Sequence, residues 1–259
     1  MTIGISCIYT PKNKETISLK IMSYNIRHGE GLDKVLDLSR AASIIKSIGP
    51  DLCALQEIDD FCLRSDRVGQ TKYLAQYTNM VGTFGKFMDF QQGEYGMSTL
   101  TTKPIISTKI LELPDGKYEP RTAIVHEIKI ADTCIIAFAN VHLDWVTEKE
   151  GSINRLNQSK VLVKYLDSLN LPTIITGDFN CTPDSPVMTY FANQGFKFAP
   201  KGKDNLSFQI EEKAEIDHLI YKNSDSVTFT KKSAYLLEEP IVSDHRPFII
   251  ELEVNFKVL

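Results

Sequence analysis

The chain has 259 residues, 42% of them hydrophobic and 24% charged, with a formal net charge of −4. This is the composition of a globular protein, with enough chain to bury a substantial core. It offers no bulk basic footprint for nucleic acid, and no window of about 18 uncharged apolar residues suits a transmembrane helix.

In chain order, Met1–Lys20 lacks a long apolar stretch and does not read as a signal peptide. A cytoplasmic location is expected, with a secreted or periplasmic one as the alternative if a leader has been removed. Residues 17–26 read as a strand. Leu38–Ile48 carries a helical stripe at Leu38, Ala41, Ala42, Ile45 and Ile48, with Asp37 to cap it and Gly49-Pro50 to stop it. Residues 51–58 are a short apolar strand closing on Glu57, and 70–80 a helix. From 81 to 142 the pattern is mostly β, with strands near 81–89, 96–102, 105–112, 121–130 and 133–142. A helix is expected over 149–169, a strand over 172–177 and a helix near 185–194. Strands near 216–221, 225–236 and 247–255 complete the chain. This order suits two packed sheets with helices on the outer faces. The five cysteines show no CxxC and no zinc spacing. Cys53 and Cys134 sit in apolar runs as buried thiols, and a reducing compartment is the simplest reading.

Acidic, amide and histidine residues recur at the ends of these apolar runs. They form Ser23-Tyr24-Asn25, Leu55-Gln56-Glu57, Asn140-Val141-His142, Gly177-Asp178-Phe179-Asn180, Ile216-Asp217-His218 and Ser243-Asp244-His245. A strand end is where an α/β protein places its chemistry. Carboxylates, an amide and imidazoles gathered there suit Mg²⁺-assisted attack on a phosphate ester. Glu57 alone reads more readily as a solvated acid than as a ligand. Asp178 and Asn180 read either as an Asx turn before Pro183 or, being two apart on an extended segment, as an acid and an amide facing one pocket. His218 and His126 read as packed histidines.

The ordered set resembles the endonuclease/exonuclease/phosphatase superfamily, which includes deoxyribonuclease I, and in particular its small bacterial-type members. The match runs from about Lys20 to Phe256. The resemblance implies an α/β fold, a four-layer α/β/β/α sandwich of two packed, mainly antiparallel sheets with outer helices. It implies one catalytic domain over residues 1–259, with its core at about 18–256. It also implies one or two Mg²⁺ or Mn²⁺ ions. Glu57 resembles the principal metal ligand. Asp244, Asn25 and Asp178 are further candidates for the metal's surroundings, and Gln56 stands behind them. Asp178 and Asn180 would orient the attacking water. Asp217 would fix the His245 imidazole, and His142 resembles the histidine that phosphodiesterase-type members aim at the scissile group. Asp144 would orient His142 or face solvent. Many nucleases of the family carry an acid two residues after the Asn25 position, where this chain has Arg27. Arg64, Arg67, Arg121 and Tyr95 are further candidates for substrate binding, since arginine forks suit phosphate.

The expected activity is metal-dependent hydrolysis of a phosphate ester, a phosphodiester being favoured. Two rivals stand: a Mg²⁺-dependent DNA endonuclease or exonuclease, and a catalytically silent binding module on the same fold. A single tryptophan, Trp145, and no basic run beyond Lys231-Lys232 weigh against duplex nucleic acid. The favoured partner is therefore a small or lipid-derived phosphate ester, with nucleic acid as the alternative and no obligate protein partner.

Overall fold

A computed structural model describes residues 14–210 and 212–258, and twelve strands and four α-helices lie among them. Most of Met1–Lys20, which reads as lacking a leader, lies outside the described residues. The first sheet has the order β11-β12-β1-β2-β4-β3 and the second β5-β6-β7-β8-β10-β9. Members of the first are β1 (Lys14–Asn25), β2 (Leu52–Asp60), β3 (Val81–Phe90), β4 (Gly93–Thr101), β11 (Val227–Leu236) and β12 (Phe248–Lys257). The second holds β5 (Ile105–Leu113), β6 (Arg121–Ala131), β7 (Cys134–His142), β8 (Thr173–Asp178), β9 (Lys197–Phe198) and β10 (Asp217–Lys222).

Each sheet contains one parallel pair at its centre, β1 with β2 and β7 with β8; the other strand pairings among the described residues are antiparallel. A parallel pair needs a crossover, and a helix supplies each one. Helix α1 (Leu38–Ile48) joins β1 to β2, and α3 (Lys149–Leu169) joins β7 to β8. The ends of α1 follow from its sequence. Asp37 accepts a hydrogen bond from the Ser39 amide, and Gly49 takes the left-handed conformation at φ 58°.

Period-two alternation sorts the strand residues into layers. Leu19, Ile21, Leu52, Ala54, Ile136, Phe138, Ile174 and Leu219 face the opposite sheet and form the inter-sheet core. Met22, Tyr24, Cys53 and Leu55 face outward and are covered by Ala41, Ala42 and Ile45 of α1 and Leu74 of α2 (Gln70–Thr78). Ala139, Val141, Ile175 and Ile220 face the other way, beneath Leu162 and Leu166 of α3 and Val187 and Phe191 of α4 (Pro186–Asn193). The result is the four-layer sandwich.

The same alternation positions the polar residues. Asn25, Gln56, Asn140, His142, Asp178 and Asp217 fall on the inner phase, in step with the core residues of their own strands. The parallel pairs pack on one another, with β1 against β8 and β2 against both β7 and β8. Their carboxyl ends therefore meet at one edge. Within β8 the backbone presses close to β7. Gly177 has φ +146°, and a Cβ there would overlap the Val141 carbonyl oxygen. The strands expected from sequence are all present. The two-residue strand β9 and the short 3₁₀ turns at Arg27–Gly29 and Leu63–Ser65 carry no periodicity and leave no mark in the sequence pattern.

Gly177→Ala combines this overlap with an unfavourable φ. It should lower unfolding free energy by on the order of 3 kcal/mol, read as a lower urea midpoint at unchanged slope.

Candidate active site

Strand ends from both sheets converge with the segment before β12. The Asn25 amide nitrogen, at the end of β1, donates to Glu57 Oε1 at 3.0 Å and to Asp178 Oδ2 at 3.3 Å. One amide thus holds a carboxylate from each sheet. His142 and Asp217 flank Asp178 on the neighbouring strands, paired with it in register.

A second imidazole arrives from the far end of the chain. Ser243 Oγ donates to the Asn25 carbonyl at 2.7 Å, and the His245 amide donates to Ser243 Oγ at 3.2 Å. These two bonds seat His245 over the cluster. Its Nδ1 lies 2.8 Å from Asp217 Oδ2, and its Nε2 lies 3.6 Å from Asp178 Oδ2. His142 Nε2 stands at the same 3.6 Å from that oxygen. Ser207 Oγ steadies the Asp217 end by accepting from the amides of Ile216 and Asp217.

Glu57 reaches this cluster through a β-bulge. The pairing of β2 with β4 shifts between Gln56 and Ile58, and Glu57 has φ +56°. In a regular strand it would share the outward phase of Cys53 and Leu55. The extra residue re-aims it toward Asn25. Glu57 is therefore not a strand tip, since β2 runs on to Asp60.

The electrostatics are strained in one direction. Burial raises the Glu57 pKa, and repulsion from Asp244 adds to it. Burial also raises that of Asp178, helped by Asp217 and opposed by His245. For His245, burial would favour the neutral ring, but the carboxylates of Asp217 and Asp178 overturn this and raise its pKa to about 10. Burial works against the charge of Asp217 as well, yet His245 and the hydrogen bonds to the carboxylate hold its pKa low. His142 is pushed well down by burial and then by Arg121, so it is neutral.

Several candidates sit differently from expectation. Asp178 and Asn180 do not lie on an extended segment. Asn180 has φ +51°, and its amide donates to Asp178 Oδ1 at 2.9 Å in an Asx turn. The turn ties up Oδ1 and leaves Oδ2 to the cluster. The Asn180 side-chain nitrogen donates one of its two N–H groups to the Leu143 carbonyl, leaving the other and the amide oxygen for further contacts. Asp144 neither orients His142 nor faces solvent; it is buried and accepts from Asn154 and the Lys117 amide. Gln56 bonds Asn140 at 2.8 Å and acts as a clasp between the sheets. Arg67 lies apart, exposed and bonded to Gln92. Arg27 rests 3.5 Å from Asp244. Arg64, Arg121 and Tyr95 line a cleft that Glu57 and His142 also line. Glu119, Phe90, Met88 and Trp145 complete it, and periodicity alone gave no sign that they would meet.

The donor set fits a hard divalent cation. Glu57 and Asp244 repel one another in a poorly solvated setting, and a cation between carboxylate oxygens would relieve that. Donor atoms of Asp178, Asp217 and His245 also lie within 4.8 Å of one another. The bond between Asp217 and His245 already engages two of these, which favours the Glu57 side as the ion's place.

The family model described as "Endonuclease/Exonuclease/phosphatase family" matches residues 22–245. The chain belongs to this family. No curated protein matches it. An endonuclease/exonuclease/phosphatase from Beutenbergia cavernae DSM 12333 superposes with a TM-score of 0.76 at 15% identity, covering 91% of this chain and 71% of that one. The human Nocturnin catalytic domain with bound sulfate gives 0.72 at 17%, covering 92% and 97%. A mannosyl-6-phosphatase of Bacteroides thetaiotaomicron VPI-5482 gives 0.66 at 22%, covering 90% and 99%. At these identities the likeness is one of fold. Members of the endonuclease/exonuclease/phosphatase family are generally phosphoric ester hydrolases.

The raised pKa of His245 carries a sign that can be tested. Its pairing stabilises the fold fully below the unfolded value near 6.5, and this contribution is lost as pH rises through about 10. Asp217→Asn should bring the His245 titration down in an NMR experiment on metal-free protein and reduce that alkaline loss of stability, the Asp178 carboxylate still raising the ring.

Proposed function

We propose that the chain is a divalent-metal-dependent phosphoesterase acting by in-line attack of water on phosphorus. The observation that carries this reading is the Asn25 amide shared between Glu57 and Asp178, faced by the His245–Asp217 pair. When bound, Mg²⁺ or Mn²⁺ would be held by Glu57, with Asp244 beside it, and would neutralise charge on the phosphoryl oxygens.

The protein residues divide the remaining work. Asp178 Oδ2 accepts from the attacking water and orients it. Its raised pKa suits a base, while its bond from the Asn180 amide fixes its plane. His245 is protonated at neutral pH and stabilises the charge that develops on phosphorus. Asp217 holds its ring in orientation. His142, neutral and buried, offers Nε2 as a hydrogen-bonding partner at the scissile group. The P–O bond breaks as the new one forms, the departing alkoxide taking its proton from solvent while Asp178 holds the one from the attacking water, with no covalent enzyme intermediate.

A small phosphate ester is favoured over duplex DNA. The guanidinium groups near the site are already matched with acids: Arg64 with Asp59, Arg121 with Glu119 and Arg27 with Asp244. Salt-sensitive binding to a row of phosphates needs free cations. The mannosyl-6-phosphatase among the structural neighbours supports the same choice.

Hydrolysis of phosphate mono- and diesters should require added Mg²⁺ or Mn²⁺ and stop in excess EDTA. Activity undiminished by the chelator would refute the metal mechanism. Asp178→Asn and His245→Ala should each reduce kcat by roughly a hundredfold or more, with circular dichroism unchanged. A side-by-side measurement on plasmid DNA and small esters at physiological salt tests the substrate class; efficient nicking with small esters untouched would favour the nuclease reading.

A further inference from the structure

The cleft beside the catalytic cluster has a volume of about 260 Å³ and is lined by Glu57, Arg64, Tyr95, Glu119, Arg121, His142 and Trp145, with Met88 and Phe90. That is below the roughly 300–1,000 Å³ of pockets for drug-sized ligands, and suits a single ring. Glu57 and His142 belong to the proposed catalytic cluster, so the cleft is where the alcohol portion of a bound ester would lie.

Its arginines are not free charges. Arg64 places Nε and Nη2 on the two oxygens of the fully buried Asp59, each at 2.8 Å. Arg121 places Nη1 on Glu119 at 2.6 Å. With Glu57 matched by a cation, the remaining charges of the cleft and its backing cancel. What remains are hydrogen-bonding atoms. Arg121 is 2% exposed, and its Nε has no partner among the described residues. Glu119 adds carboxylate acceptors, and Tyr95 a phenol kept protonated by burial and by Glu57. Trp145 stands at the rim, half-exposed, with its ring centroid 5.7 Å from that of Tyr118.

We propose that this cleft seats a neutral, hydroxyl-rich ring, the sugar-like alcohol of a phosphate ester, and discriminates against an alcohol that carries a second anionic group. The inference rests on the phosphoesterase reading. Hydroxyls both donate and accept, so they match a lining that offers donors and acceptors together. The Trp145 and Tyr118 faces suit the C–H surface of such a ring. A second phosphate or carboxylate would approach Asp59 and Glu119 without an uncommitted cation to receive it, and would lose water in doing so.

The test compares kcat/KM of the whole chain, with Mg²⁺ or Mn²⁺, on a hexose 6-phosphate, a hexose 1,6-bisphosphate and an aryl phosphate without hydroxyls. The hexose monophosphate should lead both by about tenfold or more, in the range that recognition of hydroxyl groups supplies. Glu119→Gln frees the Arg121 charge and should raise the bisphosphate-to-monophosphate ratio; a merely structural role would lower both rates together. Trp145 is the only tryptophan, so its emission reports occupancy separately from turnover. In EDTA the hexose monophosphate should change it saturably, and the bisphosphate should do so only at higher concentration. Equal or better handling of the bisphosphate, in turnover or in emission, overturns this inference and leaves the phosphoesterase reading intact. Absence of hydrolysis of all of these esters and of an aryl phosphodiester overturns the phosphoesterase reading instead, and the emission titration still decides what the cleft accepts.

Discussion

The site depends on the alignment of two sheets, and buried amides set that alignment. Asn140 on β7 donates to the carbonyls of Leu55 and Ser98 in the opposite sheet, and accepts from Gln56. Asn25 repeats the arrangement nearer the sheet edge, with a carboxylate from each sheet on its nitrogen. Hydrophobic packing alone is tolerant of small slides between sheets. A buried amide left without its partner is costly, so these bonds select one alignment. Glu57 and Asp178 come from different sheets, and their separation is fixed only as well as that alignment.

The price of this construction is concentrated charge. Glu57, Asp178, Asp217 and Asp244 gather where water is scarce, and the cations closest to them are His245 and Arg27. Burial and mutual repulsion push the Glu57 and Asp178 carboxyls up. Such an arrangement is poor for stability and good for a site that receives a cation and a proton-bearing substrate. Four of the left-handed residues follow the same pattern. Arg27, His28, Glu57 and Asn180 all have φ between 46° and 56° and all lie at or beside the cluster. Backbone strain of this kind persists where surrounding structure over-determines it.

Much of this was legible in the sequence, for a physical reason. Strand periodicity identifies inner and outer faces, and Asn25, His142, Asp178 and Asp217 share the inner phase of the core residues on their strands. The family resemblance supplied their roles. What could not be read were departures from periodicity. The Glu57 bulge reverses the facing that alternation assigns, and the left-handed Asn180 turns an expected extended pair into an Asx turn. Arg67 and Arg64 look alike in sequence, yet only Arg64 finds a buried acid, Asp59, to hold it in the cleft. Asp144 illustrates the opposite failure, since an acid after a candidate histidine suggests a partner and proves to be a brace for its own loop.

The paired arginines show why local charge is a better guide to specificity than a count of basic residues. Each guanidinium near the site has a carboxylate within 3.5 Å. Such pairs still donate hydrogen bonds in fixed directions, because the guanidinium has more N–H groups than one carboxylate can accept. They have lost much of their attraction for a distant anion, but little of their ability to orient a neutral one-ring ligand at short range. On the proposed function, the cluster around Glu57 would handle the phosphoryl charge, while the arginines and aromatics would recognise what is attached to it. Recognition and charge neutralisation then fall to adjacent but different residues, and each can change without dismantling the other.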